Sequence, residues 1–444
     1  MAPVKPGHLL VALVLLAACH RPAKPAAAPP LVVVSIDGLR PLELLEADAL
    51  GLRIPELRRL RHEGAFARVQ GVLPTVTYPS HTTLVTGVRP KAHGIHANLG
   101  FDPFGRNGGG WQWYAEDIHV PTLFQAAEEA GLSSASLYWP VNVGSRARWT
   151  IAEVWRNFTD DRKLTRALST PGLVTGLERE LGELPPGQKW DVDADRIRAR
   201  FASRVLETKR PRFATLHLLA LDHEQHGRGT GTAEVHATLE ELDEIIGSVR
   251  KAADADERAN FCVVSDHGFQ TIHTRVSVAR IFADEKLLEH DGPLLRSYRA
   301  MTWSTGGTAA VMLNEPDDQP TRDAVKALLD RLVLRPELGI DRILGRHETD
   351  ELGGFPEAAF VIAMKPGFFI DDAVDGPVTS APPGWAHGAH GYLPTEPAMQ
   401  ATFVCAGPSV PARDLGTISM LDVAPTFATL LKIALPSAEG KSLL

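Results

Sequence analysis

The hydrophobic pattern of the folded part of the chain begins with a continuous apolar run, Leu31–Ile36, interrupted only by Ser35. Uninterrupted runs of this length, rich in β-branched residues, are typical of strands that are buried on both faces of a sheet. Similar runs recur along the sequence. They predict six further strands, at Ser133–Tyr138, Phe213–Leu219, Phe261–Ser265, Ala309–Leu313, Ala359–Ala363 and Ala401–Cys405.

Segments with apolar residues three and four positions apart alternate with these runs and predict helices. The predicted helices are Ile54–Glu63, Thr122–Ala130, Ala194–Glu207, Thr232–Ala252, Thr321–Leu334 and Leu421–Ile433. This alternation favours an α/β fold with a mostly parallel central sheet and helices on both of its faces. The segment 272–385 mixes strand and helix signals with Gly and Pro turns, so it is either an inserted cap or a continuation of the central sheet.

The first thirty residues differ from the rest of the chain. The apolar run Leu9–Leu16 is too short to anchor the chain across a bilayer and is typical of a secretory signal. It leads into Cys19 in a context similar to a bacterial lipobox, which predicts acylation of this cysteine; an ordinary signal-peptidase site is the alternative. Residues 20–30 are rich in Pro and Ala and predict an extended tether. We therefore expect a signal and tether over residues 1–30 and one catalytic domain over 31–444, lipid-anchored to the membrane in the bacterial cell envelope or else secreted.

Composition and charge narrow the partners that we expect. The chain has 46 Lys and Arg residues against 54 Asp and Glu residues, for a net charge of −8, and it has no basic run. A nucleic-acid-binding surface is therefore not expected. Cys262 and Cys405 both lie in apolar, strand-like runs, and we expect each to be a small buried residue that is not part of a disulfide framework.

Acidic residues and histidines follow three of the predicted strands. They are Asp37, Asp222 with His226, and Asp266 with His267. Open α/β sheets bind their ligands at the carboxyl ends of strands, so we expect these side chains to converge. Asp and His without Cys form a ligand set that suits Zn²⁺ or a similar divalent ion. Taken singly, each residue is more typical of a turn or a helix cap.

A fourth group lies late in the chain, at His387–Tyr392. Gly388 and Gly391 lie on either side of His390 and permit a tight backbone that can turn its imidazole inward. Taken alone, the segment is more typical of a Gly-rich surface loop with solvated histidines.

Together, these motifs resemble the nucleotide pyrophosphatase/phosphodiesterase family of the alkaline phosphatase superfamily. The segments that carry the resemblance, in family order, are Ser35–Arg40, Thr77–Gly87, Arg89–Ile95, Asp222 with His226, Ser265–Gly268 and Gly388–Tyr392. They cover nearly the whole folded chain, and Met420–Leu431 is similar to the family's last helix. The resemblance implies an alkaline-phosphatase-like fold.

The resemblance also implies two Zn²⁺ sites, with Mn²⁺ as the alternative metal. The ligands of one site would be Asp37, Asp266, His267 and the hydroxyl oxygen of Thr77, and those of the other site would be Asp222, His226 and His390. The chain departs from the family at Ser80, where the family usually has Asn, and at Gln225, where it often has Gly. Neither change removes a ligand.

Residues 74–87 contain six Ser and Thr hydroxyls, and the resemblance makes Thr77 the nucleophile because the family's threonine directly precedes an aromatic residue and a proline. Asn98 matches the asparagine that donates to a phosphoryl oxygen. Tyr78 occupies the position at which family members stack a ring on a nucleobase; a packing role is the alternative. A threonine hydroxyl is a poor nucleophile near neutral pH unless a base or a metal activates it. The segment after Pro79 predicts a helix start, with Ser80 as a cap, so Thr77 would lie near the positive end of a helix dipole.

The expected function is therefore zinc-dependent hydrolysis of phosphodiester or pyrophosphate bonds in small, nucleotide-like substrates, through a phospho-threonine intermediate. A phosphomonoesterase or a phosphonate hydrolase of the same superfamily is the alternative among enzymes. An inactive lipoprotein that binds ligands at the cell surface is the alternative of a different class. The remaining histidines, among them His81 and His217, are expected to be structural or solvated.

Overall fold

The structure is a computed structural model that describes residues 28–444, except for 109, 155, 157, 158, 186–188 and 385. The predicted signal segment, Cys19 and most of the predicted tether lie outside the described residues. The carbonyl of Pro30 accepts a hydrogen bond of 2.7 Å from the backbone N–H of Asn260, so the chain is attached to the sheet just before Leu31. None of the helices in the described ranges combines the length and apolar character that a bilayer crossing requires.

The elements of the described residues follow the predicted alternation of strands and helices. The strands are β1 (Leu31–Ile36), β2 (Ala65–Gln70), β3 (Ser134–Leu137), β4 (Trp149–Ile151), β5 (Phe213–Leu218), β6 (Asn260–Val264), β7 (Gln270–Thr271), β8 (Thr274–Ser277), β9 (Leu288–Asp291), β10 (Leu294–Tyr298), β11 (Ala300–Ser304), β12 (Thr308–Leu313), β13 (Ile340–Leu344), β14 (Phe360–Met364), β15 (Phe368–Asp371), β16 (Thr379–Ser380), β17 (Gly388–Ala389), β18 (Ala401–Ala406) and β19 (Arg413–Ser419). The helices are α1 (Pro41–Leu45), α2 (Pro55–Glu63), α3 (Thr77–Thr86), α4 (Pro90–His93), α5 (Leu123–Glu129), α6 (Asp161–Leu168), α7 (Leu173–Leu181), α8 (Val192–Lys209), α9 (Ala220–Arg228), α10 (Ala233–Ala253), α11 (Val278–Asp284), α12 (Gln319–Val333), α13 (Arg346–Leu352) and α14 (Val423–Leu431).

Eight strands form the central sheet, in the order β19-β2-β18-β6-β1-β5-β3-β4. β18 runs antiparallel to both of its neighbours, and all other neighbouring pairs in the sheet are parallel. The prediction of a mostly parallel sheet is therefore confirmed.

Both faces of the central sheet are covered, as the continuous apolar runs predict. Along β1, Val32 and Val34 pack into one hydrophobic cluster with residues of α8 and α10. Leu31 and Val33 point to the opposite face and pack into a second cluster, with residues of α5 and α14. Successive side chains of a strand alternate between its faces, so a strand without polar alternation is stable only between two apolar layers.

The described strands between 272 and 385 do not continue the central sheet. They form smaller sheets, including an antiparallel one in the order β11-β12-β14-β13 and a three-stranded one in the order β15-β8-β16. Their apolar residues share a further hydrophobic cluster that includes Phe282, Val311 and Leu329. The assignment of this segment as a cap within a single catalytic domain stays a prediction.

Cys262 and Cys405 form a disulfide, so the expectation that they are unpaired buried residues is wrong. The two residues lie directly opposite each other on the antiparallel strands β6 and β18. They are 143 residues apart in sequence. The apolar runs predict two buried strands but do not show that these strands are neighbours, and only that adjacency brings the sulfurs together.

Candidate active site

The predicted metal ligands lie at the carboxyl ends of three adjacent central strands. β1 lies between β5 and β6, so Asp37 and Asp266, each just after its strand, come close together. Asp222 and His226 lie on α9, which begins two residues after β5. Residues four apart on a helix lie on the same face, so α9 directs both side chains toward the same point. The sequence analysis did not predict α9, because its polar residues conceal the helical period.

The side chains form two neighbouring groups. The imidazole Nε2 of His267 lies 3.1 Å from Oδ2 of Asp266 and 3.4 Å from Oδ1 of Asp37. Oδ1 of Asp222 lies 3.5 Å from Nε2 of His226 and 3.8 Å from Nε2 of His390.

Two triads have ligand atoms that all lie within 4.8 Å of one another: Asp222, His226 and His390, and Asp37, Asp222 and His267. The first triad is the predicted second site. The other contains two predicted ligands of the first site, with Asp222 in the place of Asp266.

Four buried atoms of these residues make no hydrogen bond within the described part of the chain. They are Oδ1 of Asp37, Oδ1 of Asp222, Oδ2 of Asp266 and Nε2 of His267. A buried polar atom without a partner costs about 1–3 kcal/mol, so four such atoms in one place are unfavourable unless a ligand satisfies them. All four have lone pairs that a divalent cation accepts, and the residues therefore fit a metal ion.

The three histidines are held by hydrogen bonds on the side away from the carboxylates. Nδ1 of His226 donates to the carbonyl of Gly388 over 3.0 Å, and Nδ1 of His267 donates to the carbonyl of Gly268 over 3.0 Å. Nδ1 of His390 donates to the carbonyl of Thr75 over 3.2 Å. With the proton on Nδ1, each Nε2 presents a lone pair, which is the usual arrangement of histidines that bind metals.

The electrostatics of the site also favour a cation. Burial, together with the nearby carboxylates of Asp266 and Asp222, raises the pKa of Asp37 well above its usual value. Burial and the neighbouring imidazoles of His267 and His226 lower the pKa of His390 well below its usual value. A divalent ion between these groups would offset the repulsion among the carboxylates and would bind neutral imidazoles directly.

Thr77 lies beside this cluster, at the first residue of α3. It lines a cavity of about 200 Å³ together with Asp37 and Asp222. The helix begins at Thr77, before the predicted start after Pro79, and Ser80 is an interior residue of α3 and not its cap; the N-cap is Val76. This correction places Thr77 directly at the positive end of the helix dipole.

Most other hydroxyls of residues 74–87 bind backbone carbonyls. The hydroxyl of Thr75 donates to Tyr392, and those of Thr82, Thr83 and Thr86 donate to carbonyls in or just after α3, over 2.7–3.0 Å. Side chains engaged in this way stabilise the local backbone, whereas Thr77 lines the cavity.

Asn98 and Tyr78 are joined to each other. The side-chain oxygen of Asn98 accepts a hydrogen bond of 2.8 Å from the backbone N–H of Tyr78, so the remaining polar group of Asn98, its amide nitrogen, can only donate. The Tyr78 ring is 1% exposed and lies 5.4 Å from the ring of Trp111. Both rings line the smaller cavity, and the predicted stacking of Tyr78 on a nucleobase stays a prediction.

His217, which was not assigned to the site from the sequence, contacts a predicted ligand and is itself held by Glu153. Nε2 of His217 lies 3.1 Å from Oδ2 of Asp37, and Nδ1 of His217 lies 2.7 Å from Oε2 of Glu153. Burial opposes a charge on His217, but Glu153 and Asp37 outweigh it and raise the pKa of His217 to about 10. The signal in the sequence was a histidine inside the otherwise apolar run of β5.

A larger cavity of about 530 Å³ adjoins the cluster on the side of His226 and His390. Asn98 and Trp111 line it, together with residues 301–306 from β11 and the turn that follows. The site thus has two cavities, one beside Thr77 and one beside the histidines of the second group.

Comparison with solved structures identifies the fold. The structure matches murine ectonucleotide pyrophosphatase/phosphodiesterase 5 with a TM-score of 0.66 at 18% identity, covering 93% of this chain and 97% of that one. An inactive form of the murine protein in complex with AMP matches with the same values. These matches confirm the predicted alkaline-phosphatase-like fold class.

Comparison of the sequence identifies the family. Residues 31–393 match the family model of type I phosphodiesterase / nucleotide pyrophosphatase. The chain therefore belongs to this family of hydrolases, as its motifs predict.

The sequences of curated relatives match parts of the chain. Human ectonucleotide pyrophosphatase/phosphodiesterase family member 1 is 28% identical over 255 residues, which are 54% of this chain and 24% of the relative. Venom phosphodiesterase 2 of Crotalus adamanteus is 24% identical over 283 residues, 60% of this chain and 30% of the relative. The matched regions thus span only about a quarter to a third of the length of these relatives.

Proposed function

We propose that the protein hydrolyses phosphodiester or pyrophosphate bonds of nucleotide-like substrates, with Thr77 as the nucleophile beside a metal centre. The observation that carries the proposal is the cluster of four buried ligand atoms without a hydrogen bond, from Asp37, Asp222, Asp266 and His267. Two of these residues, Asp37 and Asp222, line the same cavity as Thr77. Membership of a family of phosphodiesterases supports the reaction class.

The ligands divide into two sets for two ions. Asp37, Asp266 and His267 would hold one ion next to the hydroxyl of Thr77, and Asp222, His226 and His390 would hold the other. A bound divalent ion would lower the pKa of a coordinated hydroxyl and stabilise negative charge on phosphoryl oxygens. Three histidines among the ligands favour Zn²⁺ over Mn²⁺.

The remaining steps belong to the residues of the chain. The Oγ of Thr77 forms a bond to phosphorus while the bond from phosphorus to the leaving oxygen breaks, which gives a phospho-threonine. A water molecule then hydrolyses this ester and regenerates the hydroxyl. The amide nitrogen of Asn98 and the backbone N–H of Thr77 would donate to the phosphoryl oxygens, because both carry partial positive charge.

The aromatic residues of the smaller cavity support a nucleotide-like substrate. Tyr78, Trp111 and Trp190 line it beside Thr77, and flat rings of this kind stack on nucleobases. The murine relative solved in complex with AMP agrees with this assignment.

The charge of the cavities favours diesters over monoesters. No Lys or Arg is among the described residues that line either cavity. A phosphate monoester carries nearly two negative charges at neutral pH and gains more than a diester from an additional cation. The phosphomonoesterase alternative therefore receives no support from these linings.

A substitution at Thr77 tests the proposal. Thr77→Ala should abolish hydrolysis of bis(para-nitrophenyl) phosphate, because the nucleophile is removed. Thr86→Ala, in the same helix, is the matched control; it should keep its activity and lose about 1 kcal/mol of stability with its hydrogen bond to Thr82. Hydrolysis rates and thermal unfolding of the metal-loaded proteins measure both effects. Full turnover by folded Thr77→Ala would exclude the proposed nucleophile.

A further inference from the structure

The two cavities lie on different sides of the candidate active site. The smaller cavity is lined by Thr77, Asp37 and Asp222, while the larger one is lined by His226 and His390. Asn98 and Trp111 lie on the larger cavity, and Trp111 lies on both.

The direction of the reaction distinguishes the roles of the cavities. In an in-line displacement, the leaving oxygen departs on the side of phosphorus opposite to the attacking oxygen. Thr77 lines the smaller cavity and is absent from the lining of the larger one. The group that stays on phosphorus therefore occupies the smaller cavity, and the leaving group occupies the larger one.

An aromatic wall extends from the larger cavity to the surface. Phe101 and Trp303 line the cavity, and their ring centres are 5.7 Å apart. Tyr298 lies 6.2 Å from Phe101 and 5.7 Å from Phe104, which is 38% exposed. A wall of contacting rings binds flat apolar groups well and provides little for a strongly hydrated anion.

The formal charges on the larger cavity are acidic. Its described lining includes Asp102 and Asp372 and contains no Lys or Arg. Asp372 is engaged by its neighbours, since it accepts hydrogen bonds from the hydroxyl of Thr302 over 2.6 Å and from the backbone N–H of Ser304 over 2.8 Å. Away from the ion proposed at His226 and His390, a pyrophosphate group would meet these carboxylates without a balancing basic side chain.

Arg106 is the basic residue of the loop beside this cavity, and its side chain packs on an aromatic ring of the same loop. The guanidinium of Arg106 lies 4.8 Å from the ring centre of Phe104. The backbone N–H groups of Arg106 and Asn107 donate to the carboxylate of Asp102 over 2.9 and 2.6 Å. The loop thus uses its donors to hold its own shape.

We infer that the larger cavity selects an uncharged, aromatic leaving group, so that the preferred substrates are diesters between a nucleoside monophosphate and an aromatic alcohol or a second nucleoside, and not nucleoside polyphosphates. This inference rests on the proposed function. In the reaction, the bond from Oγ of Thr77 to phosphorus replaces the bond to the leaving oxygen. The hydroxyl proton of Thr77 passes to solvent, and the leaving alkoxide takes up a proton from solvent.

A double comparison of variants and leaving groups tests the inference. The two substrates are the para-nitrophenyl ester of thymidine monophosphate and thymidine triphosphate, which share the retained group and differ in the leaving group. For each substrate the rate of a variant is divided by that of wild type, so the intrinsic reactivity of the substrate cancels. Trp303→Ala should lower kcat/KM for the ester by about tenfold and leave that for the triphosphate within about twofold, because only the aromatic group loses apolar contact. Phe101→Ala should act in the same direction, and Trp303→Phe should retain most of the wild-type preference.

Tyr114→Ala is the matched control, since Tyr114 is 44% exposed and is not among the residues that line the two cavities. It should change neither rate. Equal losses on both substrates for Trp303→Ala and Phe101→Ala would overturn the inference while leaving the proposed function intact. If the metal-loaded wild type turned over neither substrate nor bis(para-nitrophenyl) phosphate, the proposed function and the inference would both be wrong.

Discussion

The two groups of candidate ligands differ in how they are built. In the first group, Asp37 is 2% exposed and Asp266 and His267 are 0% exposed, and all three follow central strands. In the second group, the side chains of Asp222, His226 and His390 are 19%, 35% and 11% exposed, and they come from a helix and a Gly-rich segment.

The first group also has more support from its surroundings. The backbone N–H of Gly38 donates to Asp266 over 3.1 Å, and His217 contacts Asp37. Ligands that are fixed before a metal binds pay less ordering entropy when it does. We therefore expect the first group to bind its ion more tightly and the second group to exchange its ion more readily with solvent.

The largest loss of activity should come from substituting a ligand of the first group, and a substitution in the second group gives the comparison. Asp37→Asn should lower activity on bis(para-nitrophenyl) phosphate by about a thousandfold, because the ion beside Thr77 is lost. His226→Asn should retain the tighter ion and lose the exchangeable one. Elemental analysis during stepwise chelation measures this difference. Release of both ions in a single step from wild type would show that the two groups are equivalent.

A smaller effect is expected from the residue that supports Asp37. His217→Asn removes the contact with Asp37 and should weaken metal binding at the first group by about 10–100-fold, the usual cost of losing a partner of a ligand. His387→Asn is the matched control, because His387 is exposed and lies beside the second group. Competition with a chromophoric chelator gives both affinities. Unchanged binding in His217→Asn would mean that the sheet alone fixes Asp37.

The smallest expected effect is a change in stability on substitution of Asp372, which lines the larger cavity and is not a predicted ligand. Burial raises the pKa of Asp372 to about 6, above the value of 3.8 for an exposed aspartate. A carboxylate with a raised folded pKa destabilises the protein as pH rises from 3.8 through 6, because the unfolded chain loses its proton first. Asp372→Asn should therefore gain stability relative to wild type by about 2 kcal/mol between pH 4 and pH 7.

Chemical denaturation at pH 4 and pH 7 measures the free energy of unfolding of both proteins. Asp375→Asn, three residues further along the chain, is the control. A constant difference between Asp372→Asn and wild type would show that Asp372 keeps an ordinary pKa in the fold.

Five strands of the central sheet, β1, β3, β5, β6 and β18, were predictable from local composition, whereas β2, β4 and β19 were not predicted. Leu31–Ile36 and Ala401–Ala406 are apolar except for Ser35 and Thr402, and only a strand covered on both faces satisfies such a run. Edge strands lack this signal: β19 is largely exposed and polar, and the sequence analysis did not predict it. The convergence of Asp37, Asp222 and Asp266 was predictable from the rule that ligands lie at strand ends.

Features that depend on neighbours in space were not predictable. The disulfide between Cys262 and Cys405 needs β6 and β18 to be adjacent, and the contact of His217 with Glu153 joins strand β5 to a loop. The start of α3 was misplaced because Pro79 indicated a boundary, although proline is tolerated in the first turn of a helix.

Thr75 links the two ends of the site. Its carbonyl accepts hydrogen bonds from Nδ1 of His390 and the backbone N–H of Gly391, and its hydroxyl donates to the carbonyl of Tyr392. The segment that precedes the nucleophile is thus held by residues more than 300 positions later in the chain. A nascent chain that ends before His390 has neither the last predicted ligand nor this support, so we expect hydrolytic activity only after His390 has been synthesised.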